Sequence, residues 1–388
     1  MTERAVGADQ KPPLGVYVHI PFCVAKCGYC DFASVPLVPG ALEPYLEALV
    51  REIETAPEAG RPAATVFFGG GTPSLLAGAQ LGRVLAAVRA AFALAPDAEI
   101  TIEANPGTLD AAKVAAWRAL GVTRVSLGVQ SLDDALLARI GRRHTAHEAL
   151  AALGLLRAAG FGNVGFDLIH GLPGQTAALW RRDLARAIAL GPEHLSLYAL
   201  GVEEGTAFHR ELRAGSLNLP PEEELAEMLA AAAALAGAAG YERYEISNWA
   251  RSGFRCRHNL DCWSLGEYRG FGAGAHSFLR RPRPRRRANE RDPGTYARLM
   301  RERGDAIVLR EDPGPRQLAG EAAMLGLRTT GGIDEGAFAA AHGAGWDELF
   351  PEAAALAAGR GWLEREAGRL RLTPEGMLFS DAVFRLLF

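Results

Sequence analysis

From residue 15 to about residue 200 the chain alternates short apolar, β-rich runs with longer amphipathic stretches. The runs at 15–20, 65–68, 99–103, 124–129, 164–169 and 194–200 have the length and composition of strands. Between the first two, Leu42, Tyr45, Leu46, Leu49, Val50 and Ile53 recur at i, i+3, i+4, i+7, the spacing of one buried helix face. Six β-then-α units predict a parallel sheet with crossover helices, because parallel strands need long connections. The expected fold is α/β, a partial (β/α)6 TIM-like barrel. An Ala/Leu helix over 221–239 follows, opened by Pro and three Glu that suit a helix N-terminus. A Gly-rich passage over 266–278 comes next, then RRPRPRRR at 280–287, which reads as a solvated linker. Beyond residue 313 helical patterns return at 318–327, 334–342 and 346–358. Two short strands at 362–364 and 370–372 and a last helix from Pro374 complete a small winged-helix-like α+β domain. The expected division is a flexible N-terminus over 1–14, the barrel and its extension over 15–279, an Arg/Pro-rich linker over 280–312, and the C-terminal domain over 313–388.

Composition narrows the function classes. The 388 residues carry 42 Lys+Arg against 45 Asp+Glu, a net charge of −3. That balance argues against gripping nucleic acid, which needs a strong basic excess, and no nucleic-acid partner is expected. Hydrophobic residues make up 49% and charged residues 22%, an ordinary globular composition. The first residues, MTERAVGADQKPP, lack the apolar core of a secretory signal, and the apolar stretch at 228–240 is too short to span a bilayer. The expected location is the cytoplasm, at most peripheral to a membrane.

Cysteine placement carries the chemistry. Three of five cysteines, Cys23, Cys27 and Cys30, lie in the segment YVHIPFCVAKCGYCDF with C-x3-C-x2-C spacing, directly after the first strand. Zinc sites usually pair C-x2-C motifs or add histidines to reach four ligands. Three clustered thiols with no evident fourth suit a 4Fe-4S cluster with one open iron; three unrelated buried cysteines are the alternative. Polar residues recur where strands end. Gly69-Gly70-Gly71-Thr72-Pro73 follows the second strand, either as a tight turn or as a ligand loop. Glu103 ends the third strand, Gln130 follows the fourth, and Asp167 lies late in the fifth. In a β/α barrel those ends face one site, although each residue alone could be a cap or a core hydrogen-bonding group.

The C-x3-C-x2-C spacing with Tyr29 before the third cysteine resembles the radical S-adenosylmethionine (SAM) superfamily. There SAM chelates the open iron, and an electron passed through the cluster cleaves the sulfonium to a 5′-deoxyadenosyl radical. HIPFC, GGGTP, IEANP, SLGVQS, LxRIGRRH, GFDLIHGLPGQT and LSLYAL, in this order, resemble the oxygen-independent coproporphyrinogen oxidase family and its relatives. The resemblance implies a radical SAM barrel. It implies that Tyr17, Tyr29, Gly70, Gly71, Thr72, Glu103, Gln130, Arg142, Asp167 and Ala199 line the SAM site, with His276 near the adenosine. Arg142 would pair the methionine carboxylate; a helix-end cation beside Arg143 is the alternative.

Two departures separate the chain from the decarboxylating oxidase of that family. The oxidase has a further cysteine two residues after the third, where this chain has Phe32, and a long N-terminal extension, whereas the first strand here begins at Gly15. Both resemble the family's haem-chaperone branch, which carries an HNxxYW signature. This chain reads His258-Asn259-Leu260-Asp261-Cys262-Trp263, with Cys262 in place of the tyrosine. His258 is then the candidate haem ligand, since neutral imidazole binds haem iron; a histidine satisfying backbone groups is the alternative, and a second metal site of Cys256, His258 and Cys262 is conceivable. The arginines at 280–287 could also draw haem propionates. The implied partners are haem, a haem-acceptor protein and, where the cluster is reduced, a flavodoxin or ferredoxin; a homodimer is allowed. The rival expectation is anaerobic decarboxylation of coproporphyrinogen III, or another radical SAM reaction of that family.

Overall fold

The computed structural model describes residues 13–388, so most of the stretch read as a flexible N-terminus, 1–14, lies outside the described residues. Six strands form the barrel wall: β1 (Leu14–Ile20), β2 (Pro62–Gly70), β3 (Ala93–Ala104), β4 (Arg124–Gln130), β5 (Val164–His170) and β6 (His194–Ala199). Each pairs in parallel with the next in chain order, the arrangement that repeated βα units give. One set of alternating residues is fully buried in the main core, among them Val16, Val18, Val66, Phe68, Val125, Leu127, Phe166 and Leu195. Successive strand residues point to opposite faces. The other set is therefore the barrel interior, and it is largely polar or small: Thr101 and Glu103 in β3, Ser126 and Gly128 in β4, Asp167 in β5, Ser196 and Tyr198 in β6. Crossover helices are fixed locally by side-chain caps. Asp110 accepts from Lys113 N, Thr145 and Glu148 form a capping box, and Thr176 accepts from Leu179 N.

The sheet is not closed. It runs to twelve strands, with Tyr268–Phe271 parallel to β1 on one side and Asn248–Ala250 antiparallel to β6 on the other. Here the structure corrects the linker expected over 280–312. Arg285–Asn289 and Ile307–Glu311 are two further strands, and Pro293–Arg303 is a helix between them. Two of the strand's arginines are neutralised by acidic partners. Arg287 pairs with Glu58 at 2.6 Å, and Arg286 pairs with Glu321 and Glu311. These contacts also engage two of the arginines considered for haem propionates.

The C-terminal part holds the helices Pro315–Arg328 and Glu335–His342, then Trp346–Leu349 and Pro351–Gly359 where one helix was expected. Pro351 lacks the N–H that would continue the first of these, so the chain restarts at that residue. The strands Ile333–Asp334, Leu363–Glu366 and Arg369–Leu372 form one small antiparallel sheet, giving the winged-helix-like order. The domain has its own core around Trp346, Phe350, Trp362 and Leu370. Among the described residues no helix is long and apolar enough to cross a membrane.

Candidate functional site

The loop after β1 is shaped by backbone pairing at its neck, where Phe22–Cys23 lies parallel to Val35–Pro36. Lys26 Nζ straps it from within, donating to the carbonyls of Phe32 at 3.2 Å and Ser34 at 3.3 Å. Cys23, Cys27 and Cys30 are all free thiols on this loop, and all three border one cavity of 340 Å³ over the C-terminal ends of the barrel strands. Among the described residues no three His, Cys, Asp or Glu side chains converge as they would around a single metal ion. Cys256, His258 and Cys262 therefore form no such group.

The same cavity brings most of the expected residues together. Tyr29, Gly70, Gly71, Thr72, Glu103, Gln130, Arg142, Asp167 and Ala199 all border the same cavity. The glycine turn has a steric reason. A Cβ on Gly71 would lie 2.7 Å from Phe22 O and 3.0 Å from Cys23 Sγ, and Gly70 has φ +113°. Thr72 Oγ1 donates to Cys23 Sγ at 3.5 Å and accepts from Asn105 Nδ2 at 3.0 Å. Glu103 Oε2 accepts from Gly70 N at 3.1 Å, and Asp167 accepts from Ser126 Oγ at 3.1 Å. Arg142 reaches from the glycine-rich wall to the cysteines: Nη2 donates to Asn105 Oδ1 and Gly128 O, each at 2.6 Å, and Nη1 to Cys27 Sγ at 3.8 Å.

The electrostatics follow from burial. Burial, followed by the charge of Asp167, pushes the Glu103 carboxyl up to about 8, against the pull of the Gly70 amide. Burial likewise raises Asp167 and the Cys30 thiol. Gln130 Oε1 and Arg142 Nε are buried without partners, and Gln130 holds φ +65°. A buried polar atom with no partner is costly. Two such atoms on the residues of a cavity wall fit a polar ligand that would satisfy them. The donor set, thiols on one side and carboxylates, amide and guanidinium on the other, fits an iron-sulfur cluster carrying a zwitterionic, hydroxyl-bearing cofactor.

Three expected positions lie elsewhere. Tyr17 does not border the cavity; it packs inside the barrel at 6.2 Å from the Phe67 ring, and its hydroxyl meets His19 Nδ1 at 2.9 Å. His276 is exposed on the strand His276–Leu279, two strands away from β1 along the sheet. The third is His258, the candidate haem ligand, which lies away from this cavity. The helix Arg257–Trp263 plugs the far end of the barrel, where the Glu99 carboxylate caps it by accepting from the backbone of Arg257 and His258, each at 3.1 Å. His258 is buried to 6% exposure, with Nδ1 2.8 Å from Thr65 Oγ1 and its ring stacked 5.1 Å from Phe67. Burial holds it neutral, lowered to about 4. In this structure it packs as a core residue.

Asn105, Ser126, Gly128 and Tyr198 border the cavity but were not singled out in the sequence. For Ser126, Gly128 and Tyr198 the signal was a small or polar residue at every second position of otherwise apolar strands, and Asn105 directly follows β3.

The class of protein follows from this geometry: a partial α/β barrel with three thiols on the loop after its first strand is a radical SAM fold. Residues 17–187 match the model of the radical SAM superfamily, and residues 315–379 match the HemN C-terminal domain. The chain is 40% identical over 380 residues to a Mycobacterium tuberculosis protein named heme chaperone HemW, covering 97% of this chain and 95% of that one. The Bacillus subtilis protein of the same name is 36% identical, covering 95% and 97%, and the Escherichia coli one 43% identical, covering 70% and 71%. The chain belongs to the HemW family of radical SAM proteins. Among solved structures it resembles the coproporphyrinogen III oxidase HemN of Escherichia coli, with a TM-score of 0.84 and 24% identity, covering 97% of this chain and 90% of that one. That likeness concerns the fold.

Proposed function

We propose that this chain is a haem chaperone. In this reading it binds haem, holds a 4Fe-4S cluster through Cys23, Cys27 and Cys30 with SAM at the open iron, and passes haem to an acceptor protein. The observation that carries the cofactor part is the shared cavity, in which three free thiols face Glu103, Gln130, Arg142 and Asp167. The haem part rests on relatives of 36–43% identity that bear the chaperone name. When bound, a reduced cluster with SAM supplies one-electron cleavage chemistry. The chain's own residues position it. Arg142 pairs the methionine carboxylate by a charge-assisted bond, Glu103 and Asp167 accept from hydroxyl and ammonium groups, and Gly70 and Gly71 let the ligand approach the backbone. A flavodoxin or ferredoxin would deliver the electron, and the setting would be cytoplasmic.

His258 is left out of the haem site, for the burial described above. The second reading, coproporphyrinogen III decarboxylation, is favoured by the HemN-like fold. Against it, Phe32 stands 60% exposed at the cavity where the resembled oxidase has its further cysteine.

Haemin titration of the anaerobically reconstituted chain tests the proposal. A saturable Soret band at one haem per chain is expected, together with iron-sulfur absorption that disappears on replacing Cys23, Cys27 or Cys30 by Ala and survives Cys256→Ala. Absence of a saturable Soret change overturns the chaperone reading. Loss of the iron-sulfur absorption in Cys256→Ala, or its persistence without a loop cysteine, overturns the cluster assignment.

A further inference from the structure

His19, in the HIPFC motif, is the last inward-facing residue of β1 and has no role in the site as described so far. Its side chain is buried to 6% exposure. Nε2 lies 2.8 Å from the carbonyl oxygen of Ala33, three residues past Cys30, and Nδ1 lies 2.9 Å from the Tyr17 hydroxyl. A carbonyl only accepts, so Nε2 carries the proton and Nδ1 accepts from Tyr17. Burial lowers the His19 pKa, which favours the neutral ring this tautomer needs. The same ring fills the space beneath the glycine turn, because a Cβ on Gly70 would come 2.6 Å from His19 Cε1. The backbone at this point is pinned as well. Tyr45 Oη donates to His19 O at 2.7 Å and accepts from Ala273 N at 3.1 Å. One rigid imidazole therefore touches both walls of the cavity: the loop that carries the cysteines, through Ala33, and the turn that faces it, through Gly70.

We propose that His19 is a positioning residue that sets the separation between the cysteine loop and the glycine turn, and so the fit of SAM between them. This rests on the cluster-and-SAM reading above. In it, the Nε2–H bond holds the return limb of the loop, Ala33 to Leu37, whose amides at Val35 and Leu37 bond to Pro21 O and Cys23 O at 2.8 Å each. Without that bond the cysteines still have their spacing and loop, so a cluster can assemble. What is lost is the registration of the loop against Gly70.

The test compares the full chain with His19→Ala and His19→Gln, the latter keeping a side-chain N–H donor of similar reach. Iron and sulfide content, SAM affinity by equilibrium dialysis, and amide exchange of 33–37 in the cofactor-free protein are measured side by side. In His19→Ala, iron content per folded chain is expected to stay at the wild-type level. SAM affinity is expected to fall about tenfold and the Val35 and Leu37 amides to exchange about tenfold faster, as loss of one buried hydrogen bond implies. His19→Gln is expected to recover most of both effects. Wild-type affinity and exchange in His19→Ala, or equal losses in the two variants, would overturn the assignment; if the Ala variant does not fold, the Gln variant decides by the same exchange and affinity measurements against wild type. Wild-type protein that loads a cluster yet shows no affinity for SAM overturns the parent reading as well. That outcome is recognised without either variant.

Discussion

Glu103 shows how strongly one residue's state depends on what fills the cavity. Its carboxyl is raised to about 8 by burial and then by Asp167, so in the cofactor-free protein it is mostly protonated at neutral pH. A native pKa above the unfolded one means the folded state binds the extra proton. Its contribution to stability is therefore complete below about pH 4.5 and is lost as pH rises through about 8. The thermal midpoint of the cofactor-free protein is expected to fall from about pH 6 to about pH 9, and Glu103→Gln is expected to flatten that part of the profile; an identical slope in the variant contradicts the assignment. At this scale the sequence was readable wherever chemistry and position coincided. The three cysteines stood out by their spacing, and Glu103, Gln130 and Asp167 because polar groups near strand ends are unusual. Ser126 and Tyr198 did not, because they sit inside strands and only the two-residue alternation marks their facing. Tyr17 and His276 came from motif resemblance alone, which does not say how deep in the barrel or how far along the sheet a residue lies.

The helix Arg257–Trp263 was legible only as a motif, neither as an element nor in its packing. The run HNLDCW attracts attention through its histidine, yet the side chain is directed into the barrel by Glu99, which captures the helix N-terminus, and by Gly15, where a Cβ would lie 3.2 Å from His258 Nδ1. These partners are more than a hundred residues away in sequence, so no local pattern could disclose the burial. His258→Ala is expected to destabilise the fold by about 2–4 kcal/mol, through a lost buried hydrogen bond and the cavity left behind. Haem bound per folded chain is expected to remain unchanged. Urea unfolding and haemin titration of the same variant check both parts, and a selective loss of haem binding would contradict the core assignment. The strand Arg285–Asn289 repeats the lesson. Its arginines look solvated when composition is read alone, and they become sheet residues once Glu58 and Glu321 are brought to them.

Across the whole molecule, the barrel and its extension are tied by buried carboxylates, Glu52 making the most bonds. Glu52, from the helix Leu42–Glu54, accepts from Arg269 Nη2, Gly272 N, Asn289 Nδ2 and Tyr296 Oη, at 2.7–2.9 Å. The same helix supplies Tyr45, which reaches His19 beneath the cysteine loop, so the extension also supports the site. Removing one partner of a buried network leaves the rest uncompensated, and Glu52→Ala is expected to cost about 3–5 kcal/mol, read as a lower urea midpoint; a change under about 1 kcal/mol would contradict this role. The parallel barrel could be foreseen because its strands and helices follow one another in sequence. The sheet structure of the extension and its continuation past residue 279 could not, since they depend on pairings such as Arg269 with Glu52. The C-terminal domain attaches away from the cavity, through Arg328 to Glu245 at 2.8 Å and over the Trp263 ring at 4.4 Å. The choice between carrying haem and making its precursor is a property of the entire chain with its cofactors. The direct measurement is a paired anaerobic assay on one reconstituted preparation, with haemin in one arm and coproporphyrinogen III plus SAM and reductant in the other. Stoichiometric haem uptake with no protoporphyrinogen IX formed is the expected result; sustained conversion of coproporphyrinogen III without haem uptake would contradict the chaperone reading.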